Sequence, residues 1–280
     1  MTEEKAVVFQ STRCGNEGVV GHLILNRADR ANAFGADTMD ALSETLDEIS
    51  QMKNLRALVI SGAGKHFSAG ADLNWMKNSS QLSYDENIAD SGRLTAMFEK
   101  LYNLPVVTIA LVKGAAYGGA VGLIACCDIT LCHEDAKICL SEVKLGLLPA
   151  VIFPYLGRRM HPGALRRASL TGRLITANEA SHIGLCDVVF SDSDAEEKLR
   201  EELNLVLSGG PQAQASIKKL NKILSDDDFK QNPVTQEYIA RARTGVEGQA
   251  GLSAFFAKSA PYWKASTCDN LIDSLINPKP

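Results

Sequence analysis

Residues 106–132 read VVTIALVKGAAYGGAVGLIACCDITLC. The first seven, dominated by Val, Ile and Leu, have the near-continuous apolar text of a strand buried on both faces. A glycine-rich loop follows, then a helical block at about 119–127, then the short strand DITLC at 128–132. Strand, turn, helix and strand make a crossover unit, and its repetition implies an α/β fold with parallel strands.

The same order lies upstream. From Asp37, the residues Met39, Leu42, Leu46, Ile49 and Met52 recur at three- and four-residue steps, the spacing of one helix face. RALVISGA (56–63) returns as an apolar strand, and helical text at 84–103 is stopped by Pro105. The opening is different: AVVFQSTR (6–13) and VVGHLILNR (19–27) flank Cys14-Gly15-Asn16-Glu17-Gly18, the chemistry of a hairpin connection between antiparallel strands. Downstream come AKICLS (136–141), a Pro-containing loop and helical text through Arg167. After Val188-Val189-Phe190 only helices are expected, at 194–207, 211–225, 234–244 and 251–258. The expected division is a catalytic core over 1–195, a helical C-terminal region over 196–264 and an extension over 265–280. In that extension Leu271, Ile272, Leu275 and Ile276 form a weakly amphipathic segment that docks or frays.

Composition narrows the function classes. With 280 residues, 45 % apolar and 22 % charged, the chain is long enough for one large domain with an appendage, and disorder is excluded. No apolar run approaches the ~18 residues of a membrane span, and MTEEKAVVFQ lacks the basic start of a signal peptide, so a cytoplasmic protein is expected. A net charge of -4 makes nucleic acid an unlikely partner. The seven cysteines have no paired spacing and no histidine at ligand distance, so they read as reduced thiols and no metal site is expected.

Two glycine-rich turns each close a strand and open a helix: His66-Phe67-Ser68-Ala69-Gly70-Ala71-Asp72-Leu73, and Gly114-Ala115-Ala116-Tyr117-Gly118-Gly119-Ala120. Glycine brings backbone N–H groups close to a ligand, and a helix N-terminus adds free donors. Two such turns either converge on one oxyanion or are tight connections with no ligand. Neither is a phosphate loop, and GxGxxG and GxSxG are absent.

Taken in order, these stretches resemble the crotonase superfamily, the enoyl-CoA hydratases and isomerases. The carrying residues are Asn26-Arg27 with Ala31-Asn32-Ala33-Phe34, FSAGADL (67–73), GAAYGGAVGLIACCDI (114–129), AKICLSEVKLGLLP (136–149), Glu247-Gly248 and GLSAFFAKSAPYW (251–263). SEVKLGLLPAVIFPYL most resembles bacterial methylglutaconyl-CoA hydratases. The resemblance implies a spiral of ββα units with an all-helical C-terminal trimerisation region, in a homotrimer or a dimer of trimers. It also implies an acyl-CoA thioester substrate and no cofactor beyond that CoA.

By the same resemblance, the thioester oxygen lies between the N–H groups of Ala71 and Gly119, and Glu142 is the catalytic acid/base. Arg27, Ala31, Ala69, Asp72, Leu73 and Lys258 map onto the CoA-binding positions. The second glutamate of the typical hydratase maps onto Gly122, where this chain has no carboxylate. A glutamate placed there is expected to face the same thioester. Hydration of a 2-enoyl-CoA therefore stands beside 3-enoyl- to 2-enoyl-CoA isomerisation by Glu142 alone. A catalytically weak CoA- or RNA-binding relative is the remaining reading. Dehalogenation is disfavoured because Ala150, Val151, Ile152 and Phe153 occupy the positions where that chemistry needs an aspartate.

Overall fold

The computed structural model describes residues 5–15, 18–79, 81–224, 236–237 and 241–276. Its strands are β1 (Val7–Cys14), β2 (Gly18–Leu25), β3 (Leu55–Gly62), β4 (Val107–Val112), β5 (Ala115–Tyr117), β6 (Ile129–His133), β7 (Lys137–Cys139), β8 (Leu174–Thr176) and β9 (Val188–Phe190). Its helices are α1 (Ala36–Ser50), α2 (Leu73–Ser79), α3 (Tyr84–Tyr102), α4 (Gly119–Cys126), α5 (Phe153–Arg159), α6 (Pro162–Thr171), α7 (Ala177–His182), α8 (Ala195–Ser208), α9 (Pro211–Leu224), α10 (Val246–Phe256) and α11 (Asp269–Ile276).

Six strands form one sheet in the order β1-β2-β3-β4-β6-β9, antiparallel only at the opening hairpin, as the Gly/Asn-rich connection predicts. The second strand of successive units turns out of this sheet: β5, β7 and β8 make a small sheet of their own. The short β5 lies inside what reads as a glycine-rich loop, because its pairing with β7 is a tertiary contact with no local periodicity. The helical text before Arg167 divides into α5 and α6, with Pro162 opening the latter. Of the helix expected at 234–244, residues 236–237 and 241–244 are described and helical, and the rest lie outside the described residues.

Alternation along the strands builds two cores. Leu58, Ile60, Ala110, Val112 and Cys132 face α1, α3 and α4, whereas Ala57, Val59, Ile109, Leu111 and Leu131 face α8 and α11. Because both faces are covered, the strands read as continuous apolar text. The periodic residues Met39, Leu42, Leu46 and Ile49 of α1 are all buried. A capping box fixes the start of α3, with Glu86 N–H donating to Ser83 Oγ and Ser83 N–H to Glu86 Oε2.

Helix α8, which a boundary at 195/196 assigns to the helical region, lies against this sheet and buries Leu199, Leu203, Val206 and Leu207. The extension docks through α11, whose Leu271, Ile272 and Leu275 are buried in the same core. Each such side chain contributes about 1.5–3 kcal/mol before the entropy of ordering is subtracted.

The link between core and C-terminal region is Arg56. The β2–β3 register passes from Val19 opposite Leu55 to Val20 opposite Ala57, so Arg56 is the extra residue of a bulge and its side chain is re-aimed. Buried, the guanidinium donates to the carbonyls of Leu207, Gly209 and Trp263. Arg56→Leu leaves those carbonyls unpaired and is expected to lower stability by about 2–4 kcal/mol. A lower urea midpoint at unchanged slope would report it, and an unmoved midpoint would show the clamp to be redundant.

Candidate active site

Four loops are laced together by backbone hydrogen bonds. Phe34 N–H donates to Gly70 O (2.7 Å), and Asp72 N–H donates to Phe34 O (2.7 Å). In a parallel bridge of this kind the residue between, Ala71, turns its own N–H to the opposite side. Ser68 N–H donates to Ala115 O (3.0 Å), Tyr117 N–H to Ser68 O (3.1 Å), and Gly118 N–H to Cys139 O (2.9 Å). What remains is Gly119 N–H at the first turn of α4, where no intrahelical acceptor exists. Neither Ala71 N–H nor Gly119 N–H has an acceptor among the described loop and side-chain hydrogen bonds.

Two glycines make this lacing possible. Gly70 has φ +92°, and a Cβ there would come within 2.8 Å of Tyr117 O. Gly118 has φ +53°, and a Cβ there would lie 3.3 Å from Glu142 Oε1. The second contact fixes the place of Glu142: its carboxyl rests against the residue that precedes Gly119 N–H. Glu142 opens a 3-10 turn, Glu142–Leu145, directly after β7, and Oε2 is buried with no hydrogen-bond partner. Burial pushes its carboxyl above the usual glutamate range, offset in part by a backbone hydrogen bond. A desolvated carboxylate can exchange protons with a substrate, and an unpaired N–H donor can bind the negative charge that develops there.

Gly122 is a different matter. It is buried in α4, and a Cβ added there would overlap Ile152 Cγ2 and approach Phe98 Cε1 to 2.9 Å. The space that a glutamate at 122 is expected to use is filled here by Ile152 and Phe98, so a side chain at this position needs those neighbours to move. Asp128, the next acid along, is used structurally, accepting from Thr108 N–H and Oγ1–H and pairing with Lys218 Nζ at 2.6 Å.

The residues expected at the CoA-binding edge gather around the turn at 27–32. Arg27 Nη1 donates to Asp37 Oδ2 (2.7 Å), and Ala69 N–H donates to Ala31 O (2.8 Å). Asp72 Oδ1 accepts the Asn74 and Trp75 N–H groups, capping α2, while Oδ2 lies 3.7 Å from Arg30. Leu73 is 81 % exposed. Lys258, exposed and with φ +53°, follows the end of α10 and touches none of these in the described contacts. Asn32, given no role by sequence reasoning, ties the turn together. It is buried with φ +56°; Oδ1 accepts Arg27 N–H, and Nδ2 donates to Ala63 O and His66 O. The only signal for it was an asparagine in ANAF, a residue type that tolerates left-handed backbone. Among the described residues no cluster of side chains could hold a metal ion.

The model of the family described as "Enoyl-CoA hydratase/isomerase" matches residues 15–266. A crystal structure of an enoyl-CoA hydratase from Shewanella pealeana superimposes with a TM-score of 0.85 at 39 % identity, covering 91 % of this chain and 95 % of that one. AtuE of Pseudomonas aeruginosa gives a TM-score of 0.85 at 30 % identity, covering 92 % and 99 %. The carnitinyl-CoA dehydratase of Proteus mirabilis is 28 % identical over 264 residues, 91 % of this chain and 98 % of that protein.

Two outcomes follow from this geometry. Gly122→Ala should destabilise the protein by about 1–3 kcal/mol through overpacking against Ile152, read from its denaturation midpoint. Glu142→Gln should stabilise it at neutral pH. Because the folded-state value is raised, the penalty for the charge is absent below the ordinary glutamate range and complete above the raised value. Hence the gain should fade as pH falls through that window. A gain that is constant with pH would sink the argument.

Proposed function

The chain belongs to the enoyl-CoA hydratase/isomerase family, and from that premise we propose that it hydrates a 2-enoyl-CoA thioester, branched or methylglutaconyl-type chains included. The observation that carries the proposal is the Glu142 carboxyl lying against Gly118, the residue before the unpaired Gly119 N–H.

In this reading the thioester oxygen sits between those two donors. Glu142 takes a proton from water as the water oxygen bonds to the β-carbon, and the π electrons move onto the thioester oxygen. The enolate then collapses and takes the proton back from Glu142 at the α-carbon, so that one water is added and the carboxylate is regenerated. Each preorganised donor of this kind contributes about 2.7–4 kcal/mol to the barrier. A carboxyl raised by burial suits a group that must both accept and return a proton. CoA is held along the edge formed by Arg27, Ala31, Ala69, Asp72 and Leu73, with Lys258 reaching a CoA phosphate from its own or a neighbouring subunit. No further cofactor is involved.

The closed position at Gly122 favours one other reaction. With Ile152 where a second acid would project, the same Glu142 can take a proton from the α-carbon of a 3-enoyl-CoA and return it to the γ-carbon, giving the 2-enoyl isomer. Both chemistries need the two donors, so a silent CoA- or RNA-binding role is the weaker reading of a chain that keeps them.

Assembly into a homotrimer, or a dimer of trimers, is supported by apolar side chains left in water. Leu147, Leu148, Phe153 and Leu170 line an apolar pocket of about 390 Å³ beyond Glu142, and Phe255 and Phe256 are about three-quarters exposed. The seven free thiols fit a cytoplasmic location. No described helix is long and apolar enough to cross a membrane.

Turnover of crotonyl-, methylglutaconyl- and 3-enoyl-CoA by the purified protein tests the proposal. Loss of conjugated-thioester absorbance is expected with the first two, and Glu142→Gln should slow it by at least ~100-fold while leaving CoA-thioester binding intact. Wild-type rates in that variant would remove Glu142 from the mechanism, and conjugation gained from the 3-enoyl substrate alone would select isomerisation.

A further inference from the structure

We infer that His66 is a positioning residue for the pair of backbone donors: its ring, by accepting the Ala115 N–H on Nδ1, holds the loop that ends in Gly119 in register with the loop that carries Ala71. The inference deepens the functional reading above and rests on it for its effect on turnover.

Ala115 opens β5, and its N–H donates to His66 Nδ1 at 3.1 Å. The neighbouring ladder bond to β7 is made instead by Lys137 N–H to Gly114 O, so the ring supplies what the small sheet does not. His66 itself has one place to be. Its carbonyl accepts from the buried Asn32 Nδ2 at 2.7 Å, and the following N–H, that of Phe67, donates to Lys113 O at 2.8 Å. On the other side Gly114, with φ +58°, passes so close that a Cβ would lie 2.6 Å from His66 Nδ1 and overlap Lys65 O. The ring is therefore wedged between the two donor loops, and an N–H aimed at Nδ1 requires that nitrogen to be unprotonated.

From Ala115 the chain reaches Gly119 with three further cross-loop bonds, Ser68 N–H to Ala115 O, Tyr117 N–H to Ser68 O and Gly118 N–H to Cys139 O. These backbone bonds survive loss of the ring. Removing it should then displace Gly119 N–H by a fraction of an ångström without unfolding the loop, which is the kind of error that costs rate more than binding.

Asparagine and glutamine separate the acceptor from mere bulk. In His66→Asn the amide oxygen stands the same number of bonds from the backbone as Nδ1, whereas in His66→Gln it stands one bond further. With the substrate that the wild type turns over best, His66→Gln is expected to lose about 10- to 100-fold in kcat with KM changed less than about threefold, and His66→Asn to recover most of the rate. A bound conjugated dienoyl-CoA gives a second reading, because its absorbance moves to the red when the thioester carbonyl is polarised. That shift should shrink in His66→Gln and persist in His66→Asn. Deuterium exchange over residues 115–119 of the ligand-free proteins reads the loop without any substrate, and should be faster in His66→Gln alone. Equal exchange in all three proteins overturns the inference, as does equal impairment of both variants or a rise in KM at constant kcat. If the glutamine variant does not fold, His66→Ala takes its place against His66→Asn. Faster exchange in His66→Gln, in a protein whose wild type neither shifts the dienoyl spectrum nor turns over any enoyl-CoA, would keep the positioning role and sink the functional reading.

Discussion

Backbone hydrogen-bond saturation of the loops at 31–34, 68–72, 114–119 and 139 is the constraint on which the site depends. Every peptide N–H near the centre of a folded chain needs an acceptor, and leaving one unmade costs about 1–3 kcal/mol. Here the acceptors are other loops, and Ala71 and Gly119 are among the donors left over. Their unpaired state is a local instability held in place by neighbours that are fully paired. An N–H without a partner is free to stabilise a developing negative charge, which a donor that already has one cannot do.

That economy explains where glycine appears. At Gly70 and Gly118 the backbone turns into left-handed space, and a side chain would strike Tyr117 O or the Glu142 carboxyl. At Gly122 the reason is different: the residue touches neither donor in the described contacts and exists to let Ile152 and Phe98 pack against α4. Gly118 answers to backbone conformation and the Glu142 carboxyl and Gly122 to packing, although both lie in the same glycine-rich run. The same contrast separates the acids, since Glu142 is desolvated and unpartnered at Oε2 while Asp128 is consumed by Thr108 and Lys218.

The central strands β3, β4 and β6 carry the site because both of their faces are covered. One face packs on α1, α3 and α4, and so anchors the helix whose N-terminus presents Gly119; the other packs on α8 and α11. Arg56 then binds the helical region back to the sheet through three carbonyls, the farthest of them 207 residues on in the sequence. Residues beyond the family match at 266 add to this architecture, since α11 completes the second core rather than trailing into solvent.

By itself the sequence determined the class of fold, the parallel strands, the helix α1 and the two glycine-rich turns. Each of these is written in local text, as a near-continuous apolar run, a period of 3.6 or a residue that tolerates positive φ. The family resemblance carried by those motifs pointed to Glu142 and to the position, Gly122, where a second carboxylate is missing. Only the tertiary structure decided that position 122 is closed, that Asn32 and His66 join the donor loops, that Arg56 leaves its strand to hold the C-terminal region, and that α11 docks. Those outcomes depend on contacts such as Ile152 against Gly122, Ala115 against His66 and Leu207 against Arg56. Residues far apart in the chain meet there with no shared period, and which of them meet is fixed only when the layers pack.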